Sequence, residues 1–168
     1  MIFVTVGTHE QSFDRLIKEI DRLKGEQIIK SKVFIQSGYS NYKIENCEYK
    51  KMIDYSEMVE KTMEADIVIT HGGPGSIMLP LSYYKIPIVV PRQHQYDEHV
   101  DDHQVLFTKR LEQENKILAV YEIDRIRELV INYEEKIRDM LTNQDSKGNN
   151  LPTFINRLDI ITEELLNK

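Results

Sequence analysis

Tryptophan is absent from the 168 residues and cysteine occurs once. A lone thiol, Cys47, makes no internal disulfide, which excludes a disulfide-stapled secreted scaffold and makes a reducing cytoplasm the expected setting. Long apolar runs are missing too: the longest, such as Ile86 to Val90, reach about five residues against the roughly 20 that a membrane-spanning helix needs. The chain opens directly on Ile2-Phe3-Val4-Thr5-Val6, without a basic leader or a small-residue cleavage site, so no secretory signal is expected. Positive charge is in the minority. Lys and Arg total 22 against 28 Asp and Glu, the net charge is -6 and the pI is near 5.4. No basic tract tracks a phosphate backbone, so nucleic acid is not an expected partner. With 40% hydrophobic and 30% charged residues, the chain is long enough for one ordinary core.

Short β-branched runs alternate with longer stretches of helical periodicity, the mark of βαβ units around a parallel sheet of about five or six strands. Ile2 to Val6 predicts the first strand, and Phe13, Leu16, Ile17, Ile20 and Leu23 recur on one face of the helix after it. Lys32 to Gln36 predicts a second strand, and Tyr49 to Ile53 a short one after a polar loop. A helix over Ser56 to Glu64, capped by Ser56, precedes the strand Ala65 to Thr70. Next come a helix Ser76 to Tyr84, a strand Pro87 to Pro91, a polar loop to Asp97 and a helix from about Glu98 to Gln113. A last short strand, Ile117 to Tyr121, is followed by a long helix from about Ile123 to Leu141. The expected organisation is one domain over 1–142, then over 143–168 a polar linker (Asn143 to Asn150) and an amphipathic helix carrying Phe154, Leu158, Ile161 and Leu165.

In an open parallel sheet, ligands lie outside the carboxyl ends of the strands, which singles out the loops after Val6, Thr70 and Pro91. The strongest signal is His71-Gly72-Gly73-Pro74-Gly75-Ser76. Its glycines let backbone approach a ligand, and the following helix aims free N–H groups and its positive dipole end at the same place, so this is an anion site. No lysine follows Gly75, which excludes the NTPase loop, and a diphosphate held by backbone amides fits better. A tight strand-to-helix turn that needs glycine only for its geometry is the alternative. Gly7-Thr8-His9 could close a second side of the pocket or simply begin a helix; His9 is a candidate acid or base, or a solvated loop histidine.

The third loop runs through Arg92, Gln93, Gln95, Glu98, His99, Asp102, His103 and Gln104. On a helix Gln95, Glu98, His99, Asp102 and His103 share one side, and such groups read sugar hydroxyls by hydrogen bonds. Arg92 could pair with a phosphate. Two other readings stand beside this one: a zinc site from His99, His103 and Asp102, which lacks the glutamate base of a His-Glu-x-x-His site, and a solvated, salt-bridged helix face. Leu79, Pro80, Tyr83, Tyr84, Met58 and Met63 read as packing.

Taken together, His71 to Ser76, Pro87 to Gln93, Glu98 to Gln104 and the opening Phe3 to Thr8 resemble the glycosyltransferase family 28 C-terminal domain, and most nearly its PssE/EpsF-type bacterial subunits of capsular or exopolysaccharide synthesis. The resemblance implies an α/β, Rossmann-like doubly wound parallel sheet that forms the C-terminal half of a GT-B glycosyltransferase. It implies a UDP-sugar donor, no cofactor and no metal. Gly72, Gly73, Gly75 and Ser76 would cradle the diphosphate, with Gly7 and Thr8 on the facing lip. Gln93, Gln95, Glu98, His99, Asp102 and Gln104 would lie near the sugar or the cleft. The catalytic base is unassigned; His9, Glu98 and His99 are candidates, and in related single-chain enzymes the base comes from the acceptor half. The eukaryotic enzyme that adds the second N-acetylglucosamine to dolichol is built alike.

Two departures stand out. Leu79 occupies the position of a family glutamate that grips the ribose, and Tyr84 that of a small residue, where it is expected to fill space or cover the pocket. A GT-B enzyme reacts in a cleft between two doubly wound domains, and 168 residues supply one wall of it. The resemblance therefore implies a two-component enzyme recruited to the inner face of the membrane. Its partner would be a membrane-anchored subunit that presents a lipid-linked saccharide acceptor, and an inverting transfer of hexose, galactose favoured, would follow. A non-catalytic activator of that partner is the alternative reading, a complete sugar-nucleotide epimerase is disfavoured by length, and the free subunit could form a homodimer.

Overall fold

A computed structural model describes residues 1–145. Six strands form one sheet in the order β3-β2-β1-β4-β5-β6, and every pairing is parallel. They are β1 (Ile2–Thr5), β2 (Val33–Gln36), β3 (Glu48–Lys50), β4 (Ile67–His71), β5 (Ile88–Val90) and β6 (Leu118–Ala119). The helices are α1 (Asp14–Gly25), α2 (Tyr55–Glu64), α3 (Pro74–Ser82), α4 (His103–Gln113), α5 (Ile126–Ile131) and α6 (Tyr133–Asp145). The order reverses on either side of β1 and β4, which pair in register from Ile2↔Ile67 to Thr5↔Thr70. A crevice at the carboxyl ends is the result.

Alternation along the strands divides the core between two faces. Val4, Ile35, Ile69, Ile88 and Val90 meet Leu16, Ile17 and Ile20 of α1 and Ile126 of α5. The intervening residues Phe3, Phe34 and Val68 face Met58 of α2, while Val89 packs with Ile77 and Leu81 of α3 and Leu111 of α4. The sheet is thus covered on both sides, as its nearly unbroken apolar strands require. Phe13, Leu16, Ile17, Ile20 and Leu23 are all fully buried, as their spacing predicts.

Local chemistry moves several boundaries. Asp54, not Ser56, caps α2: its carboxylate accepts the Glu57 N–H at 2.8 Å, and the Ser56 hydroxyl itself donates to it at 2.7 Å. The third strand is confined to 48–50. No helix begins at Glu98. A 3₁₀ turn (His94–Tyr96) ends at Asp97 with φ 54°, and α4 starts only at His103. The expected helix from Ile123 to Leu141 is a 3₁₀ turn (Ile123–Arg125) and two helices separated at Asn132. Helix α6 continues to Asp145, so the expected boundary at 142 falls inside it. The rest of the linker and the amphipathic tail lie outside the described residues. Among those residues, no helix is long and apolar enough to cross a membrane.

Candidate active site

The loops after β1, β4 and β5 meet at the carboxyl edge. Gly73 is the N-cap of α3, Pro74 occupies the first helical position, and no side chain caps the helix. The first amide with a carbonyl one turn behind it is that of Ile77, which donates to Gly73 O at 3.1 Å. Gly75 and Ser76 come before it, and their N–H groups belong to the free end of the helix.

The three glycines of this corner have three different surroundings. A Cβ on Gly72 would stand 2.8 Å from Gln104 Cβ, so Gly72 admits α4 rather than a ligand. One on Gly73 would overlap the His71 ring. A Cβ on Gly75 would meet nothing within 4 Å among the described residues. The corner is open at Gly75 and Ser76 and packed behind Gly72.

His71, the last residue of β4, is the site residue that the sequence reading passed over. Its ring fills the gap between Gly73 and Gly7, where a Cβ on Gly7 would lie 2.5 Å from the ring Cε1 and where φ is +78°. Burial, with the nearby Arg92 cation, lowers its pKa from 6.5 to about 4, so the imidazole is neutral at ordinary pH. Its Nδ1 is buried and has no hydrogen-bond partner. The sequence places His71 after the strand, at the head of the glycine cluster and without a role of its own; β4 in fact runs through it.

A cavity of about 660 Å³ opens from this corner between α2 and α3. Gly73, Gly75 and Ser76 edge it, His71 and Thr5 lie at its sheet end, and Tyr55, Met58, Leu79 and Tyr83 form apolar walls. Met58, Leu79 and Tyr83, read as packing, therefore line the cavity. The departure at Leu79 falls on its wall. Tyr84 is not among the residues that line it: it follows the C-cap of α3, with φ 58°, and is 67% exposed. Met63 is likewise exposed rather than packed.

The β5 loop has a different character. Arg92, expected to face a phosphate, is fully buried, and its guanidinium donates to the carbonyls of Val6, Gln11, Ser12 and Glu98 at 2.8–3.3 Å. It ties the β1 loop to the β5 loop. Glu98 takes a two-pronged bond from Arg15, at 2.9 and 3.0 Å, and accepts the Gln93 N–H at 3.1 Å. Gln93 donates to Tyr121 O at 2.7 Å, and Gln104 accepts the Arg92 N–H at 3.2 Å from behind Gly72. Each of these four side chains is held by backbone groups or by Arg15, and because residues 98–102 are not helical the expected one-sided array does not form. Gln95 and Asp102 are exposed; Asp102 accepts the His94 N–H at 2.9 Å.

Three histidines cluster beside the β1 loop. His99 is buried, with its ring 4.6 Å from that of His9 and 4.5 Å from that of His103. Burial and the neighbouring histidines lower its pKa. His9 Nδ1 accepts the Gln11 N–H at 3.3 Å, which orients its ring, and Thr8 is exposed. Cys47 is remote and half-buried, its thiol pushed up to about 12 by burial and the adjacent Asp21, so it is unreactive.

The sequence profile described as glycosyltransferase family 28 C-terminal domain matches residues 1–158. No curated protein matches the chain. Among solved structures it is similar to the glycotransferase of kitacinnamycin, at 15% identity with a TM-score of 0.61, covering 96% of this chain and 42% of that one. It is also similar to the glycosyltransferase SnogD from Streptomyces nogalater, at 16% identity with a TM-score of 0.54, covering 84% of this chain and 37% of that one. The chain thus spans about two fifths of these structures, and at such identities the likeness is one of fold.

Proposed function

Because the chain belongs to the glycosyltransferase family 28 C-terminal domain family, we propose that it is the donor-binding part of a glycosyltransferase that uses a UDP-sugar. The observation that carries this reading is the cavity of about 660 Å³ that begins at the uncapped N-terminus of α3, where Gly75 is open. A nucleotide needs a pocket of this order, about 300–1,000 Å³ for small ligands, with a few polar groups at one end. The diphosphate lies against the Gly75 and Ser76 amides and the nucleoside against Tyr55, Met58, Leu79 and Tyr83. As the sugar leaves, the same amides offset the charge that develops on UDP.

One wall of a reaction cleft leaves the acceptor to another domain. In this reading a membrane-anchored partner subunit presents a lipid-linked saccharide and supplies the base, and a hexose, galactose favoured, is transferred in capsular or exopolysaccharide synthesis at the inner face of the membrane. His9 remains the candidate base on this side, since Glu98 is held by Arg15 and His99 is buried among histidines.

Titration with UDP tests the site. Gly75→Glu places a carboxylate where the diphosphate sits, in space that accepts a side chain, so UDP binding should vanish while circular dichroism stays native. Unchanged binding in that variant overturns the assignment. The apolar Leu79 on the cavity wall favours a second reading, an activator subunit without its own nucleotide. Absence of UDP binding by the unmodified chain, together with stimulation of the partner, supports that reading instead.

A further inference from the structure

We propose that His99, Asp101 and His103 form a binding site for a divalent transition-metal ion of the zinc class, beside the β1 loop. Their ligand atoms all lie within 4.8 Å of one another. His99 Nδ1 stands 3.4 Å from Asp101 Oδ1, and His103 Nδ1 meets the same oxygen. Two ligands on a tetrahedral zinc ion, with bonds of about 2.0–2.2 Å, stand about 3.3 Å apart, so the first pair is already at the right spacing.

The proton arrangement points the same way. His99 Nδ1 is an acceptor, taking the Asp101 N–H in a long 3.4 Å bond that an ion would displace. Asp101 Oδ1 accepts the His103 N–H at 3.1 Å and meets the His103 ring nitrogen, so one carboxylate oxygen stands between the two imidazoles. Among the described residues the ion-pair partners of Asp101 are His99 and His103, and no lysine or arginine supplies the positive charge. Packing of His9 on one side of the His99 ring, and of His103 edge-on, fixes its orientation. Two imidazoles and one carboxylate form a borderline donor set that suits zinc-class ions rather than magnesium or calcium. Water completes the coordination from the exposed side.

The ligand set is not the helical one that the spacing His99, Asp102, His103 suggests. Residues 99–102 bend before α4, which turns Asp101 toward the imidazoles and leaves Asp102 on the His94 amide. The proposal does not depend on the nucleotide reading, and UDP plays no part in its test.

The untagged full chain, stripped with a chelator, is titrated with zinc chloride by calorimetry and with cobalt(II) by visible absorption. One ion should bind per chain, with the intense bands of a tetrahedral cobalt centre. Asp101→Asn and His103→Gln, both at exposed positions that leave the fold intact by circular dichroism, should each weaken binding about tenfold or more. His94→Gln, an exposed histidine outside the group, should leave it unchanged. No saturable binding, binding indifferent to both ligand variants, or equal affinity for magnesium overturns the proposal.

Discussion

The corner after β4 and the loop after β5 carry equally unusual sequences and do opposite things. At Gly73 to Ser76 the backbone donors are left without side-chain partners and face a cavity. From Arg92 to Gln104 the buried polar side chains are turned inward: the Arg92 guanidinium is engaged by four carbonyls, and Glu98 by Arg15 and a backbone amide. Polar residues at a strand end therefore mark either a ligand site or the scaffold that shapes one. What separates the two is whether the protein itself takes up most of their hydrogen bonds; of the Arg92 guanidinium only the buried Nε has no partner among the described residues.

Breaking the scaffold should have the largest effect. Arg92→Leu leaves buried carbonyls without donors and should lower stability by about 3–5 kcal/mol in urea unfolding. The fraction that remains folded should keep its UDP affinity; a selective loss of UDP affinity at native stability would instead make Arg92 a ligand of the diphosphate and erase the contrast.

His71 lies between the two regions and gives the next effect. Its pKa falls from 6.5 in the free side chain to about 4 in the fold, so between those values the unfolded chain binds the proton and the native one does not. Its contribution is fully present above pH 6.5 and is lost as pH falls toward 4, about 3 kcal/mol in all. His71→Asn should flatten that acid limb in a series of unfolding curves; an unchanged limb would show that the imidazole is not the group being protonated.

Leu79→Glu sharpens the site with the smallest change. A carboxylate on that cavity wall can accept hydroxyl hydrogen bonds from a ribose, worth about 1.5–3 kcal/mol, or roughly tenfold or more in affinity. Equal UDP affinity in Leu79→Glu would place the nucleoside elsewhere.

Much of the fold is legible in the sequence, because the strands are apolar on both faces and Phe13 to Leu23 keep helical spacing. The glycine corner is legible because few other structures need such a cluster. The loop before α4 is not: Glu98, His99, Asp102 and His103 have helical spacing, yet Glu98 is captured by Arg15, 83 residues away in the chain. Long-range ion pairs leave no local pattern. Asn132 divides a periodic stretch in the same silent way. Nor does periodicity distinguish Met58, Leu79 and Tyr83 from core, since a cavity wall and a packed face have the same composition. His71 was hidden for a related reason, as its role depends on space vacated by Gly7, which is distant in sequence.

The single ring wedged between two residues without side chains has a mechanical corollary. It works as a spacer that both the loop after β1 and the loop after β4 abut with bare backbone. Enlarging residue 7 by one methyl group would push on the ring and so be felt at Gly73 without ever touching it.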